Sequence, residues 1–173
     1  MANPAVAAKP AVRVRFYRFR NALREKLAGG QGGAIGLSEE VLAQVQSAME
    51  SLAEDYPDWV AKQIVDMRAH HARLIDTPED RRKTYDLIRC IAQELKGQGA
   101  TFGYPLVSTF AQSLLDPTAP SAPLTDNNVE IIKAHIDAIA AVMNDRVKGN
   151  GGQIGKDLTA QLKAAMEKHS ITS

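Results

Sequence analysis

The sequence has little of several residue types, and each shortage excludes a class of protein. Its single cysteine, Cys90, excludes an internal disulfide framework and favours a reducing compartment. Aromatic residues make up only 5% of the chain, so the core is expected to be mainly aliphatic. No apolar run approaches the roughly 20 residues that a membrane-spanning helix needs, and residues 1–10 lack the long apolar segment of a secretory signal. These features predict a cytoplasmic protein.

The residues that are abundant favour an all-α fold. Hydrophobic residues make up 45% of the sequence, and they recur every three or four positions rather than alternating. Most segments between the predicted helices are short, which favours antiparallel neighbours. We predict an antiparallel four-helix bundle with extra N- and C-terminal helices. The predicted divisions are a basic N-terminal segment with a Gly-rich linker (1–36), the bundle (37–148) and a C-terminal amphipathic helix (149–173).

Helix boundaries can be predicted from capping residues and prolines. Ser38 is a suitable N-cap for the first clear helix, and Tyr56-Pro57 is expected to interrupt it, with either a new helix or a kinked continuation beyond. Two stripes are predicted to be buried on either side of this interruption: Val41, Leu42, Val45, Met49 and Leu52 before it, and Val60, Ile64, Met67, His71 and Leu74 after it.

Similar signals predict the later helices. Thr77-Pro78 predicts a helix start, and Gly103 predicts its end. Tyr104-Pro105 opens the next helix, and Thr125 or Asn127 is expected to cap the one after it. The apolar positions of these last helices are Leu106, Val107, Phe110, Leu114, Leu115, Val129, Ile132, Ile136, Ile139 and Met143, followed near the C-terminus by Ile154, Leu158, Leu162, Ala165 and Met166.

The most informative segment is 92–103, which reads A-Q-E-L-K-G-Q-G-A-T-F-G. At about 100° per residue, Ile88, Ile91 and Leu95 share one face of its helix, whereas Gln93 lies about 140° from Ile88. Gln93 is therefore expected to face solvent. The same outward face is predicted to carry Asp86, Arg89, Gln93, Lys96 and Gly97.

This segment resembles the signature of the histidine-containing phosphotransfer (HPt) domain, A-H-x-L-K-G-x(5)-G. The resemblance extends over roughly residues 38–148, and 92–103 is its specific part. Gln93 stands where that family carries its phosphorylated histidine, and an amide is not a phosphoryl acceptor. The resemblance therefore implies a degenerate phosphoacceptor position and a signalling protein, not an enzyme. It would dock a response-regulator receiver domain or a histidine kinase through its outward face, without relaying phosphate, and would need no cofactor.

Three other histidines leave open a phosphotransfer protein that uses a different acceptor. His70 and His71 are adjacent, so their side chains point about 100° apart on a helix and cannot easily share one metal ion. His135 flanks the apolar stripe of its helix, but no Lys-Gly pair follows it. We expect structural or solvated roles for all three and no metal site.

The N-terminal segment is basic. Seven lysines and arginines lie between Lys9 and Lys26, against Glu25 alone, and residues 12–27 have apolar positions at helical spacing. Packing or protein docking is the favoured role. Membrane contact through residues 12–27 remains an alternative, and nucleic-acid binding is not expected because no nucleic-acid-binding motif accompanies the charge. This segment also supports a second hypothesis, a helical adaptor or scaffold that acts through it.

Overall fold

A computed structural model describes residues 38–170, and these residues form helices without any β-strand. The basic segment, its Gly-rich linker and Leu37 lie outside the described residues. The helices are α1 (Glu39–Asp76), α2 (Arg81–Gln98), α3 (Pro105–Leu114), α4 (Asp126–Asn144) and α5 (Gly152–Ser170), and a 3₁₀ turn (Pro78–Asp80) precedes α2. The prediction of an all-α protein is confirmed for this part of the chain.

Residues 44–170 belong to one compact unit. In this unit, α2 packs against α3, α3 against α4, and α4 against α5. The C-terminal helix α5 contributes buried Leu162 to the same core, with Leu158 and Met166 partly buried beside it. The predicted stripe of α5 is thus buried only in part, since Ile154 is exposed.

Helix α1 differs from its prediction in two ways. It runs without a break through Pro57, so Tyr56-Pro57 does not start a separate helix, and the predicted alternative, a continuation of the same helix, is the one observed. Proline removes one helical hydrogen bond, but the aromatic side chains around it are packed: Tyr56 is buried and its ring stacks on Trp59 and on Phe102. These aromatic contacts lie beside the proline within the continuous helix.

The second difference concerns the first apolar stripe of α1, which was predicted to be buried and is exposed. Its members are Val41, Leu42, Val45, Met49 and Leu52. The stripe after Pro57 was predicted correctly at its four aliphatic or thioether positions, because Val60, Ile64, Met67 and Leu74 are all buried, whereas His71 is half-buried. Helical periodicity identifies an apolar face, but it does not say whether another helix lies against it.

The helix ends follow the predicted capping chemistry at some positions and depart from it at others. Ser38 and Thr125 accept backbone hydrogen bonds from Val41 and Asn128, as N-caps do. Thr77 does not cap α2. Its hydroxyl donates to the Arg73 carbonyl instead, and the 3₁₀ turn delays the start of α2 to Arg81.

Helix α2 also ends earlier than predicted, at Gln98 rather than near Gly103. The turn that follows nevertheless closes at Gly103, whose φ is +88°. The Tyr104 amide donates to the Gly99 carbonyl, and the Gly103 amide donates to the Ala100 carbonyl. This pair of hydrogen bonds is the Schellman arrangement, with Gly103 at the left-handed C′ position.

Candidate functional site

The outward face of α2 is set by the side chains on its opposite side. Ile88, Ala92 and Leu95 are fully buried in the core, which fixes the rotation of the helix. Gln93 and Lys96 then face solvent and are exposed. In the part of the chain that the structure describes, neither side chain forms a hydrogen bond or an ion pair with another residue.

Two glycines near the end of α2 have different surroundings. A Cβ atom added at Gly97 would meet no atom of the described residues within 4 Å, so they leave the surface above this residue open. A Cβ atom at Gly99 would lie 2.7 Å from the Ser108 hydroxyl and 2.9 Å from the Tyr104 carbonyl oxygen. Gly99 is therefore needed for the close approach of the α3 start, whereas no packing contact explains Gly97.

The end of α2 is anchored below this face by aromatic side chains. The Tyr56 ring lies 4.7 Å from the Phe102 ring and 5.9 Å from the Tyr104 ring, centroid to centroid. Burial, with a smaller contribution from the charge of Tyr104, raises the pKa of Tyr56 to about 12. The Tyr56 hydroxyl is therefore neutral near pH 7, and its contribution is packing. The Gly149 amide donates to the Gly103 carbonyl and ties the turn to the chain after α4.

The remaining members of the predicted face differ in availability. Asp86 is exposed, and so is Cys90, which lies one helical turn before Gln93 and Glu94. Arg89 is only partly exposed, and its guanidinium donates to the Leu115 carbonyl at a distance of 2.6 Å. This hydrogen bond holds the Arg89 side chain against the end of α3. The open part of the face therefore consists of Asp86, Cys90, Gln93, Lys96 and Gly97.

The side chains on this face are suited to binding another molecule. A glutamine amide can donate two hydrogen bonds and accept at its carbonyl oxygen, but it has no basic nitrogen that could attack phosphorus. Lys96 supplies a mobile positive charge, and Gly97 lets another surface approach the helix backbone. The arrangement can bind a polar or acidic surface, and Gln93 is not a group that can carry a phosphoryl group.

His135 is buried completely and is engaged at both ring nitrogens. Nδ1 lies 2.8 Å from the Ile131 carbonyl oxygen, and Nε2 lies 3.0 Å from the Ser113 hydroxyl oxygen. Burial lowers the pKa of His135, partly opposed by the Ile131 hydrogen bond and Asp116. The neutral ring is thus a core element, and a partner protein cannot reach it in this conformation.

His70 and His71 are half-buried on α1, and burial is the largest cause of the lowered pKa of each. Nδ1 of His70 and Nε2 of His71 have no hydrogen-bond partner among the described residues. His71 lies near Glu130, Lys133 and Asp137 on α4, where the carboxylates partly offset the effect of burial on its pKa. His71 therefore faces α4, whereas the charged groups that affect the pKa of His70, Arg73 and Asp66, are on α1 itself.

The sequence did not reveal the polar network that holds the loop between α3 and α4. Arg82 donates to the carbonyls of Ala119 and Ala122, and Arg81 donates to the Leu124 carbonyl. The two hydrogens of the buried Asn128 side-chain amide are shared among three acceptors, the Tyr85 hydroxyl and the Pro117 and Pro123 carbonyls. Arginines on α2 would have suggested a solvated face, and only the path of the Pro-rich loop shows their role.

The described residues contain no group of three or more His, Cys, Asp or Glu side chains placed to hold a metal ion. None of the helices in the described range has the length and hydropathy needed to cross a bilayer. No protein-family model, curated protein or solved structure matches this chain.

Proposed function

We propose that the protein is a signalling interaction protein with an HPt-like helical bundle that docks a response-regulator receiver domain or a histidine kinase without relaying phosphate. The docking face is the predicted one, Asp86, Arg89, Gln93, Lys96 and Gly97, and within it Arg89 would contribute from its position against the Leu115 carbonyl. The proposal includes the finer architecture expected from the sequence, an antiparallel four-helix bundle with extra terminal helices. The observation that carries it is the exposure of Gln93 and Lys96 beside the open surface at Gly97, within the motif frame at 92–103.

The absence of packing around Gly97 supports docking rather than a structural role. Glycine inside a helix costs up to about 1 kcal/mol relative to alanine. At Gly99 a close approach accounts for the glycine, but at Gly97 an alanine side chain would meet no atom of residues 38–170 within 4 Å. A glycine that gains nothing inside the protein suits a surface where a partner must come close to the helix backbone.

The direct test is a titration of the purified full chain against individual receiver domains and kinase domains from the same cell. We expect one of them to bind, and we expect Lys96→Ala and Gly97→Leu to weaken that binding. Lys163→Ala is the matched control, because Lys163 is an exposed lysine on α5. If no receiver or kinase domain binds, or if Lys96→Ala binds as well as Lys163→Ala, the proposal fails.

The absence of phosphate relay has its own test. The wild-type chain is incubated with a phosphorylated receiver domain, and acid-labile label on the chain is measured. We expect none on the wild type. Label on Gln93→His would show that the site accepts a phosphoryl group once an imidazole stands there. Label on the wild type that is lost on replacing His70, His71 or His135 would establish an active phosphotransfer protein instead.

A second candidate function is a helical adaptor that acts through the basic segment. Its support is the concentration of seven basic residues between Lys9 and Lys26. Removing residues 1–36 separates the two candidates, because Ser38, the N-cap of α1, remains in place. Lost partner or membrane binding favours the adaptor, and unchanged receiver binding favours the α2 face.

A further inference from the structure

The docking face on α2 is too small to hold a partner domain by itself. It has five residues, all on one helix, whereas an interface of ordinary size involves about 20 residues and about 800 Å² on each partner. A domain that docks here must therefore also contact surface beside α2. The loop between α3 and α4 runs along one side of this helix, next to Arg82 and Arg89.

These two arginines hold the loop against α2. Arg89 donates to the Leu115 carbonyl at a distance of 2.6 Å, at the end of α3. Further along the loop, Arg82 donates to the carbonyls of Ala119 and Ala122 at 2.8 Å and 2.7 Å. The arginines are seven positions apart, so they lie on one side of α2 and about 10 Å apart along its axis. The loop therefore follows the helix for about two turns.

The exposed part of the loop borders the docking face. Pro120 and Ser121, which we call the loop tip, are both exposed. They lie between the two residues whose carbonyls Arg82 binds, and Arg82 is one helical turn before Asp86, the first residue of the docking face. The sequence has no charged residue at positions 117–125. The loop tip therefore adds an uncharged surface to a face whose exposed side chains are polar or charged.

The conformation of the loop tip is fixed by hydrogen bonds on both sides. The Ala122 amide donates to the Ala119 carbonyl at 2.8 Å and closes a four-residue turn. Pro120 occupies the second position of this turn, which suits the fixed φ of proline. Beyond the turn, the Tyr85 hydroxyl donates to the Pro123 carbonyl. Because the tip is already ordered, binding to it costs little conformational entropy.

We propose that the loop tip is a second part of the docking surface and contacts the same partner domain as the α2 face. The inference rests on the proposed function. From the level of Arg82 to Gln93 the combined surface is about 16 Å long. The partner it fits is a folded domain with an uncharged patch beside the polar or acidic patch that meets Lys96. Arg82 is a positioning residue, because it acts through the carbonyls on either side of the tip.

The test titrates each receiver and kinase domain of the same cell into the full chain and into its variants. Ser121→Glu and Ser121→Arg should each weaken binding at least about fivefold, because either charge would be buried against an uncharged patch. Ala160→Glu and Ala160→Arg, at an exposed position of α5, are the matched controls and should bind as the wild type does. Opposite effects of the two charges at Ser121 would mean attraction at a distance without contact and would overturn the proposal.

The role of Arg82 is tested by combining variants. Arg82→Gln should also weaken binding about fivefold because it releases the loop tip, whereas Lys83→Gln, at the exposed neighbouring position, should not. Arg82→Gln combined with Ser121→Glu should lose less affinity than the product of the two separate losses, since both act on the same contact. A loss equal to that product would show that Arg82 does not act through the tip and would overturn its positioning role.

The outcomes also separate this inference from the proposed function. If a domain binds and Lys96→Ala weakens it, but both Ser121 variants bind as the wild type does, the proposed function stands and the inference fails. Leu87→Gln then shows where the rest of the interface lies, because Leu87 is 46% exposed on the other side of α2. If no receiver or kinase domain binds, both the proposed function and the inference fail.

Discussion

Two glycines at the end of α2 have different structural roles. Gly97 and Gly99 are two positions apart, and only Gly97 is a specified position of the motif. Among the described residues, a Cβ atom added at Gly97 would meet no atom within 4 Å, whereas one added at Gly99 would lie 2.7–2.9 Å from atoms of Tyr104 and Ser108 at the start of α3. The orientation of Gln93 could be predicted from periodicity, because Ile88 and Leu95 fix the buried side. The packing of Gly99 could not, because it depends on the path of the chain after Gly103.

The first prediction compares alanine at these two glycines. Gly97→Ala should raise the free energy of unfolding by up to about 1 kcal/mol, because alanine favours the helix and meets no neighbouring atom. Gly99→Ala should lower it by about 1–3 kcal/mol, because the added methyl group is forced against Ser108 and Tyr104. Urea denaturation of the two variants beside the wild type measures both effects. A loss of stability in Gly97→Ala would contradict the open surface above this residue.

The second prediction separates the two partners of one ion pair. The Arg81 side chain is 10% exposed and donates to the Leu74 and Leu124 carbonyls as well as to Asp126, whose side chain is 90% exposed. Arg81→Ala should therefore cost about 2–4 kcal/mol, because buried carbonyls lose their donors. Asp126→Asn should cost less than about 1 kcal/mol, as for an exposed ion pair. Thermal and urea unfolding check the difference, and equal losses would show that the ion pair dominates.

At the scale of the elements, the sequence predicted where helices form and how they are capped better than it predicted which residues pack against them. Capping at Ser38 and Thr125 was predicted correctly because each cap is a local contact between residues three apart. The rings that pack on Tyr56, beside Pro57, belong to Phe102 and Tyr104, which are distant in sequence. The burial of His135 likewise depends on Ser113, from a different helix. Contacts between residues that are far apart in sequence cannot be recognised from the local spacing of apolar residues.

The third prediction concerns the contact between the Tyr56 and Phe102 rings, which lies beside Pro57 of α1. Phe102→Ala should lower the free energy of unfolding by about 2–4 kcal/mol, because it removes a ring that is stacked on Tyr56 and packed against the core. Leu124→Ala is a suitable control, since Leu124 is an exposed apolar residue in the loop before α4 and its replacement should cost little. Denaturant titrations followed by circular dichroism would measure both. Equal stability of the two variants would show that the aromatic contacts do not hold α1.

For the whole molecule, the histidines predict how stability depends on pH. Burial is the largest cause of the lowered pKa of His70, His71 and His135 in the folded protein. The unfolded chain therefore binds protons more readily near its ordinary histidine pKa of about 6.5. The histidine contribution to stability should be fully present above about pH 6.5 and should decrease as the pH falls below that value.

Urea denaturation at pH 7.5 and pH 5.0 tests this fourth prediction. The free energy of unfolding should be smaller at pH 5.0, and His135→Gln should reduce the difference between the two values because it removes one titrating group. The variant is less stable overall, so the comparison rests on the change with pH rather than on either value alone. Stability that is constant or greater at pH 5.0 would show that the folded protein holds these histidines protonated.

The uneven covering of α1 also has a consequence for the rate at which its backbone opens. Between residues 60 and 74 the amides belong to turns that are locked by buried side chains, whereas between 42 and 52 no side chain is buried. Short unsupported helical segments are marginal in water, so the first turns should open without disturbing the rest. Deuterium should enter the amides of 42–52 on the order of a hundredfold or more faster than those of 60–74. One uninterrupted helix would then contain two cooperative units. A molecule that binds to the first turns would slow the exchange of their amides and leave the rest unchanged.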